Sequence, residues 1–209
     1  MKYLIMHGSY TKIDNPKYWF NWLKKELVNL GGSVISDQFP TEDWSEVEDL
    51  DSNKASTFIS KQSLISWENK FITDILPQLG SEPFVFIGHS IAPVFMLHML
   101  QKYDFKLSGA IFVSPFFNIP DRPEIWQFYP TNKTFYNYDF DLAKIKSQIL
   151  GKTYVVYGDN DPYLPATEPP LFAEKLDSEL IVVPNGGHCG SIFKEFPLVL
   201  DLAIKLTSN

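Results

Sequence analysis

Six short runs of β-branched and aromatic residues, most of them closed by glycine or proline, constrain what this chain can fold into more than any other feature. They occupy residues 3–6, 33–35, 84–87, 110–113, 154–157 and 180–183. Most are apolar throughout, as strands are when helices cover both faces of a parallel sheet. The stretches between them are long enough for crossover helices and carry apolar residues at helical spacing. Trp19, Phe20, Leu23, Leu27 and Leu30 form one such stripe before Gly31-Gly32, and residues 58–79, 93–103 and 192–206 behave alike. The pattern predicts an α/β three-layer sandwich around a mostly parallel sheet of about six strands.

The length of 209 residues favours a single domain spanning 1–209. With 44% apolar and 21% charged residues the composition is that of an ordinary globular protein. The net charge of −7 leaves no basic stripe to neutralise phosphates, so nucleic acid is not an expected partner. Cys189 stands alone, which excludes an internal disulfide. The start of the chain lacks the apolar core of a signal peptide, and no apolar run approaches the ~20 residues of a membrane span. A cytoplasmic location is expected. The four histidines are scattered and Cys189 has no spaced partners, so neither a metal nor a cofactor is implied.

Two segments break the regular pattern. Residues 42–51 are acidic and are most simply a solvated loop or helix face. Residues 115–140 are too long for a plain connection and rich in aromatic side chains, a composition suited to a partial lid or binding loop. Trp126 and Phe128 are the candidates there for lining a substrate pocket.

Three loops carry candidate chemistry. Ser90 lies in Gly88-His89-Ser90-Ile91-Ala92, directly after an apolar strand and before a helical stretch, the setting of a nucleophile elbow. Small residues flank the serine in so sharp a turn, although Ala92 stands where glycine is usual. The plain alternative is a serine that caps the next helix. His188, in the glycine-rich loop after the last strand, reaches the same sheet edge, because parallel strands present their carboxyl ends together. His89 is expected to point away from the nucleophile, His98 to lie mid-helix, and His7 to belong to a turn after the first strand. For an acid between Ser90 and His188, the loop Gly158-Asp159-Asn160-Asp161-Pro162 offers two residues. Asp161 is preferred because it lies farther into the loop beside prolines, and Asp159 remains the competitor. The oxyanion hole of such a site would use the Ile91 amide and an amide of the His7-Gly8-Ser9 loop, with Ser9 first and Tyr10 next.

These residues together resemble a known family, the small serine hydrolases of the retinoblastoma-binding-protein-9 and YdeN type. The likeness rests on His7-Gly8, Gly88-His89-Ser90, Lys144-Ile145-Lys146, Gly187-His188 and above all residues 157–165. It implies a compact α/β-hydrolase fold with Ser90, Asp161 and His188 as catalytic residues, and it supports Asp161 over Asp159. The chain lacks a Leu-x-Cys-x-Glu sequence, so the resemblance does not extend to retinoblastoma binding. The expected activity is hydrolysis of a carboxylic ester, thioester or small amide of a small acyl substrate. A binding protein on the same scaffold and a triad-dependent acyltransferase are the alternatives, and the oligomeric state is left open.

Overall fold

The computed structural model describes residues 1–119, 127–136 and 139–207. Its strands are β1 (Lys2–Met6), β2 (Ser33–Ile35), β3 (Phe84–His89), β4 (Leu107–Val113), β5 (Thr153–Gly158) and β6 (Glu179–Val183), in the spatial order β2-β1-β3-β4-β5-β6. Every pairing between neighbours is parallel. The helices are α1 (Phe20–Asn29), α2 (Ser52–Thr57), α3 (Leu64–Lys70), α4 (Leu76–Leu79), α5 (Ala92–Lys102), α6 (Phe128–Asn132), α7 (Leu142–Ser147), α8 (Glu168–Lys175) and α9 (Pro197–Lys205).

The apolar strands work as two-faced surfaces because successive side chains point to opposite sides. Ile5, Val85, Ile87, Ile111 and Val156 join one cluster with Trp19, Phe20, Leu23 and Leu27 at α1 and Val199 and Leu202 of α9. Leu4, Phe86, Ala110, Phe112 and Val155 join the other, against Trp67 of α3, Phe95 of α5 and Phe172 of α8. Two buried faces account for the continuous apolar runs of the inner strands, whereas the edge strands β2 and β6 are partly exposed. Each fully buried side chain of this size contributes about 1.5–3 kcal/mol, so the sheet is held by packing on both sides.

Two helices begin later than their apolar spacing predicts. The stretch expected over 58–79 starts at Leu64, where Ser63 and Ser66 form a reciprocal cap, with Ser66 N–H on Ser63 Oγ at 3.1 Å and Ser63 N–H on Ser66 Oγ at 3.0 Å. Its middle, Phe71–Ile75, widens to a π-turn before α4. Pro77 explains the widening, since a proline ring collides with the carbonyl four residues back in a regular α-helix. The stretch expected over 192–206 starts at Pro197, whose missing N–H suits a first turn.

The chain enters at β1, moves outward to β2, and returns past β1 to β3. That reversal opens a crevice between the loops after β1 and β3, at the carboxyl edge where ligands of such sheets bind. The loops after β5 and β6 reach the same edge and touch. A Cβ on Gly158 would lie 2.2 Å from the Gly187 carbonyl oxygen and 2.6 Å from Gly186 C, both backbone atoms. Gly158→Ala is therefore expected to cost about 1–3 kcal/mol by forcing the two loops apart. In a chain of this length that lowers the melting temperature by roughly 2–12 °C in scanning calorimetry. An unchanged transition would show that the β6 loop yields freely.

Candidate active site

Ser90 follows β3 directly, and its backbone is left-handed, with φ +63°. A non-glycine residue there is strained by about 1–2 kcal/mol and persists only where its surroundings impose it. Three contacts do so. The Ser90 N–H donates to the Val113 carbonyl of β4 at 2.8 Å. Gly8 of the β1 loop lies so close that a Cβ there would sit 2.7 Å from Ser90 Cβ. On the other side α5 begins at Ala92, which is buried, and the bare Cα of Gly88 leaves room for its methyl group. Alanine thus serves where glycine is usual.

The turn aims Ser90 Oγ at His188, whose Nε2 lies 2.9 Å away. His188 Nδ1 lies 2.6 Å from Asp161 Oδ2, and both side chains are nearly enclosed, at 16% and 6% exposed. A carboxylate only accepts, so Nδ1 carries the proton and Nε2 is left to accept from the Ser90 hydroxyl. The other carboxylate oxygen, Oδ1, accepts from the Tyr163 N–H at 2.9 Å and the Leu164 N–H at 3.1 Å, which locks its orientation. Asp159 does not meet the histidine. Its Oδ1 accepts from the Asn185 N–H at 2.7 Å and braces the β6 loop.

The other histidines and the cysteine have different tasks. His7 donates from Nδ1 to the Gly8 carbonyl at 2.7 Å and accepts at Nε2 from the Phe39 N–H at 2.9 Å, fixing the turn after β1. His98 is buried in α5, with Nε2 at 3.1 Å from the Phe135 carbonyl. His89 departs from expectation. Its ring lines the same cleft as Ser90, packs 5.0 Å from the His188 ring, and donates from Nε2 to the His188 carbonyl at 2.8 Å. Alternation along β3 produces this placement, since residue 89 shares the face of Val85 and Ile87 and packs on Trp19 and Phe20. Cys189 is fully buried, and burial pushes its thiol up to about 12, so it is a poor nucleophile.

A cleft of about 320 Å³ opens over Ser90 and His188, bordered by Ser9, Tyr10, Phe128 and Tyr163 among others. Ser9 is held by its hydroxyl, which donates to Asn132 Oδ1 at 2.7 Å and accepts from Gln62 Nε2 at 2.8 Å. Both partners are buried, so the loop carrying the Ser9 amide is clamped from behind. The Tyr10 amide is committed elsewhere, to Thr41 Oγ1 at 2.8 Å. Ile91 precedes the first turn of α5, where amides lack intrahelical acceptors. Phe128 borders the cleft, whereas Phe116 and Phe135 of the same long connection are core residues, and Trp126 lies outside the described residues. The acidic segment also departs from a purely solvated loop. Glu42 is buried, accepting from Ser60 Oγ at 2.9 Å and from the Lys61 N–H, and Trp44 reaches the cleft. Hydropathy cannot reveal this, because the aromatic residue is embedded among carboxylates.

Among the described residues no group of histidine, cysteine and carboxylate side chains is placed to hold a metal ion, and no helix is long and apolar enough to cross a membrane.

The parallel sheet, the serine turn after β3 and the loops converging on it define an α/β-hydrolase. The serine hydrolase family profile matches residues 3–202, so the chain belongs to the serine hydrolase family. No curated protein sequence matches it. The ydeN gene product of Bacillus subtilis superposes with a TM-score of 0.79 at 22% identity, covering 100% of this chain and 99% of that one. Est1E from Butyrivibrio proteoclasticus follows the same fold, with a TM-score of 0.65, 13% identity, and coverage of 100% and 88%. So does a structure from a study of carboxylesterases of Nitrososphaera gargenis, with a TM-score of 0.66, 11% identity, and coverage of 99% and 90%.

Electrostatics around the site generate a stability prediction. Burial pushes His7 from the ordinary 6.5 down to about 4 and His89 down to about 3, with the neighbouring His188 adding to the effect on His89. Both are neutral in the folded protein. As pH falls below 6.5 the unfolded chain binds these protons and the folded chain does not, so stability present above 6.5 is lost toward pH 4 and, for His89, toward pH 3. Each histidine contributes a slope of about 1.4 kcal/mol per pH unit in that window. Urea unfolding between pH 6 and 5 is expected to show a shallower pH dependence in His89→Gln by about that amount. An unchanged slope would mean that His89 is protonated in the folded state.

Proposed function

We propose that the protein hydrolyses a carboxylic ester, thioester or small amide of a small molecule through an acyl-enzyme, with Ser90, His188 and Asp161 as its catalytic triad. The observation that carries this reading is the continuous hydrogen-bonded line from Ser90 Oγ through His188 to Asp161, at 2.9 and 2.6 Å, starting from a strained serine turn. His188 takes the Ser90 proton as Oγ attacks the carbonyl carbon. It then gives that proton to the leaving oxygen, sulfur or nitrogen as the acyl bond breaks. Asp161 holds the tautomer that makes Nε2 basic and stabilises the imidazolium. The Ile91 and Ser9 amides receive the oxyanion, with the positive end of α5 behind Ile91. Water then repeats the sequence on the acyl-enzyme, and no cofactor takes part.

Fluorophosphonate labelling with peptide mapping tests the nucleophile. Label is expected on Ser90, and Ser90→Ala is expected to lose labelling and esterase activity while keeping its melting temperature. A folded protein that takes no label would instead favour a binding protein on this scaffold. For the acid, Asp161→Asn is expected to lower kcat on the order of 10⁴-fold by reversing the tautomer. Asp159→Asn, which touches only the β6 loop, is expected to act mainly on thermal stability. The opposite ranking in kcat would assign the acid to Asp159.

A further inference from the structure

Resting on that reading of Ser90 and His188, the cleft also carries information about which leaving group it accepts. Its described border includes two histidines, aromatic, hydroxyl and small residues, Pro162 and Ile192, but no aspartate, glutamate, lysine or arginine. His89 is held neutral by burial. Among the described residues an anionic substrate would find no counter-ion there, and the net charge of −7 disfavours its approach.

Except for Tyr18, which stacks on Phe20, the aromatic residues of this border are continuous. The Tyr163 ring stands edge-on to the His188 ring at 5.2 Å, Phe128 lies 5.1 Å from Tyr163, Tyr10 lies 5.3 Å from Phe128, and Trp44 lies 5.4 Å from Tyr10. Trp44 and Phe128 close the series at 6.2 Å. Rings that touch in series form a wall, unlike a cage that surrounds a cation.

Trp44 ends this wall with 42% of its surface exposed, and it is not loosely placed. Asp43 and Glu46 cap the turn that carries it, Lys12 pairs with Asp43 at 2.9 Å, and Lys61 pairs with Glu46 at 2.7 Å. Just ahead, Glu42 is anchored in the interior by Ser60 and Lys61, and Thr41 holds the Tyr10 amide. The acidic segment thus presents an indole at the rim of the cleft with its backbone already ordered.

The wall begins at the imidazole that must hand its proton to the departing atom, so the group attached to that atom meets Tyr163 first and Phe128, Tyr10 and Trp44 beyond. We propose that the site selects uncharged substrates whose leaving group is a flat aromatic, with Trp44 and Phe128 as specificity-determining residues. Stacked or edge-to-face rings gain attraction beyond the area they bury, which a saturated ring of equal size does not.

Four acetate esters with one acyl group test this: benzyl, cyclohexylmethyl, ethyl and choline acetate, followed by acid release at constant pH. Benzyl acetate is expected to have the highest kcat/KM. In Trp44→Ala the ratio of kcat/KM for benzyl over ethyl acetate is expected to fall about tenfold, mainly through KM, and Trp44→Phe is expected to restore most of it. Phe128→Ala is expected to act in the same direction. A preference for choline acetate would replace the wall by a cation site and overturn the proposal. So would equal rates for benzyl and cyclohexylmethyl acetate, or an equal loss on all four esters in Trp44→Ala. Ser90→Ala separates the two levels: turnover surviving in that variant defeats the triad itself, whereas its loss together with a flat ester profile defeats only the leaving-group assignment.

Discussion

The left-handed backbone at Ser90 is the constraint on which the rest of the site depends. A serine at φ +63° relaxes unless neighbours hold it, and its neighbours come from three parts of the fold. Strand β4 accepts its N–H, the β1 loop presses Gly8 against its side chain, and α5 starts immediately beyond it. Each neighbour is itself fixed by the parallel sheet, since β1 and β4 are the two strands that flank β3. The hydroxyl is therefore aimed before any ligand arrives. Such preorganisation lets an attacking group react without first reordering its surroundings.

Much of this was legible in the sequence because inner parallel strands buried on both faces leave uninterrupted apolar runs, and all six runs became strands, the edge strands β2 and β6 keeping the pattern although they are partly exposed. The positions of Ser90, Asp161 and His188 were legible for a related reason: each follows a different strand at its carboxyl end, and a parallel sheet gathers those ends. What escaped notice depends on longer-range contacts. Residues 58–63 carry helical spacing, yet the Ser63 and Ser66 cap delays the helix and leaves Gln62 buried against Ser9 and Asn132. The acidic run conceals Trp44 because local charge predicts exposure, whereas Glu42 turns inward to meet amide and hydroxyl donors from 18 and 19 residues away. No local pattern encodes a partner at that distance. His89 follows the alternation of β3, on the face of Val85 and Ile87 against Trp19 and Phe20, but its bond to the His188 carbonyl is a long-range contact.

The cleft combines neutral surroundings with one polarised line of groups. His89, whose ring packs on that of His188, is forced neutral by burial and so places no positive charge beside it. The carboxylate that completes the line is not part of the described border; it lies behind the imidazole, where backbone N–H groups of Tyr163 and Leu164 occupy its second oxygen. A charge placed there acts on the histidine and is shielded from the ligand.

The loop after β5 shows how consecutive residues divide the work of holding such a line together. Gly158 has no side chain because the Gly187 carbonyl occupies the place where a Cβ would lie. Asp159 accepts the Asn185 N–H and Asn160 accepts the Gly187 N–H, both at 2.7 Å, so the two side chains hold the neighbouring loop at successive points. Only then does Asp161 reach His188. The histidine is thus positioned through its own loop as well as through its ring, and His89 adds a further restraint by bonding its carbonyl. Asp159 competes with the preferred Asp161 in the sequence, but Asp159 fixes the backbone that carries the imidazole while Asp161 fixes the imidazole itself. The spacing of two residues between them matches the separation between a loop that must be braced and the side chain that must be oriented.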